Sequence, residues 1–203
     1  APAARGWRSR ANVTNATARN GARCTVASLR ASKLKNGFPA SVCGPRAAQR
    51  GERVLVLGGA GGVGRFAIQI ARHLGAHVTA VGSAAAADLM RDLGAHEILD
   101  YRQSDFTQMG QTWDVVFDTP DVSSFHHSRP VLTKTGRYIT LHAGLSVMLQ
   151  MLWTRWRRGP RALVGVSIGS EAQSETLAHL LRSGVIHPRI AATFPMADIA
   201  AAH

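Results

Sequence analysis

Cysteine is nearly absent from this chain. Cys24 and Cys43 stand alone, 19 residues apart, and support neither a disulfide framework nor a four-ligand zinc site. They leave the redox compartment undecided. Long apolar runs are missing as well: none reaches the roughly 18 residues expected of a membrane-spanning helix, so no membrane span is expected. Acids are missing from residues 1–50 altogether, where ten Lys and Arg occur. Most of the formal charge of +12 therefore belongs to that opening segment, because residues 51–203 carry fourteen basic residues against all twelve acids. This distribution argues against nucleic acid as a partner of the main body of the chain.

The sequence divides at Gly51. Residues 1–50 are rich in Ala, Arg, Ser, Asn and Gly and hold no helical or strand periodicity. Three readings of this irregular basic segment stay open. One is a basic arm for nucleic acid or a membrane surface. A second is a transit-like peptide, whose composition is Arg- and Ser-rich and poor in acids. The third is a stretch foreign to the fold, which the abrupt change at Gly51 favours. Asn12-Val13-Thr14 and Asn15-Ala16-Thr17 match the glycosylation pattern, a match short enough to arise by chance.

From Gly51 onward, apolar runs alternate with helical stretches. Val54-Leu55-Val56-Leu57 is continuously apolar and contains β-branched residues, as suits a strand buried on both faces. A helix follows with Val63, Phe66, Ala67, Ile70, Ala71 and Leu74 on one face and Gly75 as its stop. Residues 78–81 read as a second strand. Residues 84–93 read as a helix with Leu89, Met90 and Leu93 inward and Gly94 as its stop. Strands three to six are expected at 98–99, 115–117, 138–141 and 163–168. Pro130 interrupts 121–135, so a helix there is short or starts at the proline. A last helix is expected from Ser170, with Gln173 completing a capping box. It buries Leu177, Leu180 and Leu181 and ends near Gly184. This alternation predicts an α/β fold, Rossmann-type and doubly wound on a six-stranded, mostly parallel sheet over residues 51–203.

Gly59-x-Gly61-x-x-Gly64 lies between the first strand and the first helix, the context that makes the dinucleotide fingerprint specific. The first glycine allows the turn, the second a close approach of backbone to a pyrophosphate, and the third the packing of helix on strand. The helix N-terminus aims free amides and a positive dipole end at the phosphates. After the second strand stand Gly82, Ser83, Ala84 and Ala85, with no acid until Asp88. A carboxylate there would hold a ribose 2′-hydroxyl, as NAD sites use. Its absence and the Ser83 hydroxyl favour NADP over NAD. The nearest cation in sequence, Arg91, stands two turns along the helix.

The stretch GERVLVLGGAGGVGRFAIQIARHLGAHVTAVGS, with DLMRDLGAHEILDYRQSDF, WDVVFDTP, GRYITL and the closing IHPRIAATFPMADIAAAH, resembles the medium-chain dehydrogenase/reductases of the alcohol dehydrogenase superfamily. Within them it resembles the zinc-independent, quinone-oxidoreductase-like branch. The resemblance spans residues 51–203 and implies that Gly61, Gly62 and Val63 hold the pyrophosphate. It further implies Ser83 at the 2′-phosphate, Tyr101 beside the adenosine phosphate and Leu141 on the nicotinamide side. Ala85 stands where many relatives have a basic residue, and Pro120-Asp121 where many have valine-glycine. The implied activity is hydride transfer from NADPH to a quinone or an activated alkene, a small-molecule enone. The cofactor supplies the chemistry and the protein the orientation.

The family's β-rich catalytic module has no counterpart in residues 1–50, and the chain stops at His203 inside the segment that returns to that module. A cofactor-binding domain truncated at its C-terminus is therefore expected, with little or no turnover on its own. No residue is assigned as catalytic. The rival reading is a catalytically silent nucleotide-binding or interaction protein with a basic nucleic-acid-binding arm. Relatives pair through the edge of the sheet, which makes strand six the expected homodimer edge. A cytoplasmic location is implied, or an organellar one if residues 1–50 act as a transit segment.

His126 and His127 are adjacent and point to different sides of any regular element, so no metal is expected there. Residues 145–161, with Trp153, Trp156 and Arg155, Arg157 and Arg158, read either as a basic membrane-surface helix or as a connection covering the sheet edge or a subunit interface. The resemblance favours the second, because relatives carry a similar stretch there.

Overall fold

The computed structural model describes residues 48–156, 159–165, 171–190 and 193–198. Most of the basic opening segment, strand six beyond residue 165, the Ser170 cap, the Gln173 side chain and Arg157-Arg158 lie outside them.

Six strands form one sheet: β1 (Arg53–Leu57), β2 (His77–Gly82), β3 (Glu97–Asp100), β4 (Trp113–Asp118), β5 (Leu132–Thr140) and β6 (Arg161–Val164). Their order is β3-β2-β1-β4-β5-β6, and every pair is parallel. The helices are α1 (Gly62–His73), α2 (Ala87–Asp92), α3 (Phe125–Ser128), α4 (Leu145–Trp156) and α5 (Glu171–Arg182).

Continuous apolar strands require cover on both faces, and β1 shows it directly. Val54 and Val56 enter one core cluster with Ala67, Ile68 and Ile70 of α1, Met90 of α2 and Leu180 of α5. Leu55 and Leu57 point the other way, toward Phe125 of α3, Val131 and Met151 of α4. Each such side chain fully buried is worth roughly 1.5–3 kcal/mol. Within β4 the pairing with β5 shifts register between Trp113 and Val115, and these two residues enter opposite clusters.

Some expectations shift in detail. Residues 84–93 begin as a 3-10 turn (Ala84–Ala86) before α2. The strand expected at 138–141 starts six residues earlier, at Leu132, and β6 starts at Arg161. Pro130 sits inside a 3-10 turn directly after α3, so the short-helix reading holds. Leu181 is exposed rather than buried, because it stands one residue, about 100° of helix, from the inward Leu180. Ala48 is already part of the core, ahead of the expected start at Gly51. No helix among the described residues is long and apolar enough to cross a membrane.

Candidate cofactor site

The strand order reverses between β1 and β4, and in open parallel sheets ligands bind outside the carboxyl ends of strands at such a point. There the structure has a cleft of ≈ 420 Å³ lined by Gly58, Ala60, Gly61, Gly62, Val63, Gly82, Ser83, Tyr101, Thr119 and Pro120.

The glycine loop is built by close approach. A Cβ on Gly64 would stand 2.2 Å from the Gly58 carbonyl oxygen, so only glycine lets α1 pack onto the end of β1. Gly58 has φ +72, and a Cβ there would meet Thr119 and Pro120 at 2.9 Å. Gly59 lies behind the cleft, where a Cβ would meet Ala80 and Met90 at 3.0 Å. A Cβ on Gly62 meets nothing within 4 Å, because Gly62 faces the open cleft.

Gly61 is the N-cap of α1, and its amide is already bonded to the Gly58 carbonyl at 2.9 Å. The first backbone bond of the helix runs from Arg65 N to Gly61 O at 3.0 Å. The amides of Gly62, Val63 and Gly64 therefore head the helix with no carbonyl of its own turn to receive them. No acid stands in this first turn to oppose an anion. Arg65 folds back across the loop, and its Nε donates to the Ala60 carbonyl at 2.6 Å.

At the end of β2, Ser83 caps the 3-10 turn through its backbone, while its hydroxyl makes no capping bond. Gly82 pairs in register with Asp100 of β3, which carries Tyr101 to the same cleft wall. Tyr101 is 58% exposed, and the Arg102 guanidinium lies 5.6 Å from the centroid of its ring. Asp100 is occupied in capping the Arg102 amide at 3.0 Å. Arg91, the nearest cation in sequence, is instead paired with Asp88 at 2.6 Å.

The third wall follows β4. Asp118 is fully buried and accepts from the Tyr138 hydroxyl at 2.7 Å, from Ser123 N at 2.8 Å and from Val122 N at 3.3 Å. Burial first, then the bond to Asp118, pushes the Tyr138 phenol well above its ordinary value. It remains a neutral donor at any working pH. The Thr119 hydroxyl donates to the Leu57 carbonyl at 2.9 Å, pinning the loop to β1. Asp121 takes φ 58, a left-handed conformation that aspartate tolerates better than most residues. The departure at Pro120-Asp121 is thus accommodated in the backbone, with Pro120 as part of the cleft wall.

Of the residues marked by sequence, Gly61, Gly62, Val63, Ser83 and Tyr101 converge on one cleft, with Gly59 and Gly64 forming its support. Leu141 follows β5, half-buried against the core, and does not line this cleft. Thr119, which lines the cleft, was missed, and Arg102, against the Tyr101 ring, was not singled out. Thr119 was signalled only by its position after β4, and Arg102 only by being next to Tyr101. Among the described residues no group of three or more His, Cys, Asp or Glu side chains is arranged to hold a metal ion.

Residues 93–203 match a family model described as zinc-binding dehydrogenase. A mitochondrial NAD(P)H oxidoreductase of Mus musculus is 33% identical over 172 residues, 74% of this chain and 43% of that protein. A trans-enoyl reductase of Aspergillus terreus is 31% identical over 162 residues, 73% of this chain and 46% of that enzyme. Among solved structures, the quinone oxidoreductase from Coxiella burnetii shares the fold with a TM-score of 0.67 at 22% identity, covering 84% of this chain and 53% of that one. The chain thus spans about half of these proteins or less.

Proposed function

Because the chain belongs to the zinc-binding dehydrogenase family, we propose that it holds the nicotinamide cofactor of a reductase acting on quinones or activated alkenes, with NADPH preferred to NADH. The carrying observation is the cleft itself, where unspent amides at the head of α1, the open face of Gly62 and the Ser83–Tyr101 wall meet at the reversal of strand order.

The site fits a dinucleotide on its own geometry. The amides of Gly62 and Val63 receive the pyrophosphate, rather than that of Gly61, whose N–H is taken by Gly58. Gly59 and Gly64 keep that loop close enough to β1 to present them. The Ser83 hydroxyl donates to the 2′-phosphate. Arg102, brought beside the cleft by the β2–β3 pairing, supplies the positive charge that Ala85 does not. Tyr101 supports both, its ring against the Arg102 guanidinium. When bound, the cofactor supplies the hydride, and the chain orients it. Leu141, after β5, belongs to the nicotinamide end. The described residues do not fit a zinc centre, since they lack a donor set. A homodimer through the edge of β6 and a cytoplasmic or organellar location remain part of this reading, the mitochondrial relative supporting the second.

The Arg102→Ala variant tests the cofactor assignment. Loss of a charge-assisted bond to phosphate weakens NADPH about tenfold or more and leaves NADH unchanged. Equal loss for both cofactors, or none, contradicts the assignment. Hydride transfer is read on the same complex. Fading of the reduced nicotinamide absorbance on adding a quinone or a trans-enoyl thioester supports the reductase reading. A complex that keeps its reduced cofactor with both stands as nucleotide binding without transfer by this chain.

A further inference from the structure

We propose that the outward face of α4 docks onto an anionic phospholipid surface. The inference is independent of the cofactor assignment.

An ordinary surface helix turns its apolar stripe toward the core. The inward side of α4 is narrow and partly polar: Met151 packs against the second core cluster, and the buried Thr154 hydroxyl accepts from Ala162 N of β6 at 3.3 Å. The apolar stripe faces away. Leu145, Met148, Leu149, Leu152, Trp153 and Trp156 follow i, i+3, i+4 spacing along the whole helix, and all six are exposed, Leu149 by 60% and Trp156 by 84%. Four of them, with Gln150, line a shallow depression of ≈ 660 Å³. Covering the sheet edge accounts for Met151 and Thr154 but leaves this ridge in water. Contiguous apolar surface of this kind marks an interaction site.

Charge decides among the occupants. No Asp or Glu occurs between Asp121 and Glu171, while Arg129, Lys134, Arg155, Arg157, Arg158 and Arg161 do, beside Arg137, which is paired with Glu52. Arg129, Arg155 and Arg161 are exposed, and the Arg129 guanidinium lies 6.0 Å from the centroid of the Trp153 ring. A two-fold pairing of copies through the ridge would set these arginines against one another with no acid in the segment to neutralise them. An anionic lipid surface accepts both halves of the pattern. The leucine, methionine and tryptophan side chains enter the headgroup–acyl boundary to about 5–10 Å, and the arginines meet lipid phosphates and carboxylates. Indole rings are suited to that boundary, with an apolar body and a polar N–H. Docking there would bring the chain to the layer in which apolar acceptors such as lipophilic quinones dissolve.

The test uses the full chain carrying Trp7→Phe, which leaves Trp113 and the two tryptophans of α4 as the indoles. Trp113 is fully buried. Vesicles of three parts phosphatidylcholine to one part phosphatidylserine are compared with phosphatidylcholine alone. Co-sedimentation measures partition, and quenching by brominated phosphatidylcholine measures depth. The expected result is binding to the mixed vesicles with quenching, weakened by salt. Leu149→Ser with Trp156→Ser lowers partition about tenfold or more, and Arg155→Glu lowers it about tenfold. Both variants keep the unfolding midpoint of the parent because all three side chains face water. Three outcomes overturn the proposal. One is no binding to mixed vesicles. Another is binding that survives both variants without quenching, which would assign it to the basic opening segment. The last is a dimer that the double variant dissociates in a chain that ignores vesicles, which would give the ridge to a second copy.

Discussion

Two glycines two residues apart in the same turn are expected to respond to alanine in opposite ways. At Gly64 the added methyl would stand 2.2 Å from the Gly58 carbonyl oxygen and 2.9 Å from Gly58 C and Gly59 Cα. All three are backbone atoms that cannot rotate away. Reaching ordinary contact requires the loop and helix to part by about 1 Å, an overpacking strain of about 1–3 kcal/mol or more. The gain in helix propensity, at most about 1 kcal/mol, does not offset it. At Gly62 the same methyl meets nothing within 4 Å, so only the propensity gain remains. Gly64→Ala is therefore expected to be less stable than Gly62→Ala by about 2 kcal/mol or more, read from urea unfolding with a common slope. Cofactor affinity falls in both, for different reasons. Gly62→Ala keeps its stability but loses affinity through bulk at the amides, and Gly64→Ala loses both. Equal stability of the two variants would refute the close-approach account of the loop.

Tyr138→Phe removes the bonds from the phenol to the Asp118 carboxylate and the Ser123 carbonyl without changing the packed ring. A loss of about 1.5–3 kcal/mol is expected in urea unfolding, and a loss below about 0.5 kcal/mol would show that Asp118 does not hold the loop after β4 through this bond. His96 is held below the ordinary histidine value of 6.5 by burial first, then by the Arg72 guanidinium and His77. The folded chain binds that proton more weakly than the unfolded one, so stability falls as pH drops below 6.5 until the folded-state value is passed. Across that window His96→Gln flattens the dependence of the unfolding midpoint on pH, and an unchanged slope would place its origin elsewhere.

Much of the fold was legible because it rests on local signals. Val54 to Leu57 can only be a strand with two covered faces, and Gly75 and Gly94 mark helix ends that the structure closes at φ 82 and φ 101. The part of the site drawn from the Gly59–Gly64 loop was legible for the same reason. What remained hidden depended on pairing across the sheet. Arg91, the nearest cation to Ser83 in sequence though two turns along the helix, is paired with Asp88. Tyr101, with the Arg102 guanidinium over its ring, comes to the cleft wall only through the register of Gly82 with Asp100. Thr119 lines the cleft only because β4 lies beside β1. Periodicity showed the stripe of α4 but carries no sign of direction. Which side faces the sheet was set by Met151 and Thr154, and the stripe was left outside.

The central claim is a working dinucleotide cradle at the head of α1, and calorimetric titration of NADPH and NADH into the full chain tests it most directly, with Gly62→Val as control. The valine side chain starts from open space, so the variant keeps its fold while filling the place of the pyrophosphate. Micromolar NADPH binding, weaker NADH binding and loss of both in the folded variant are the predicted result. A folded chain that takes up neither cofactor, or a Gly62→Val variant that binds as well as its parent, would contradict the account.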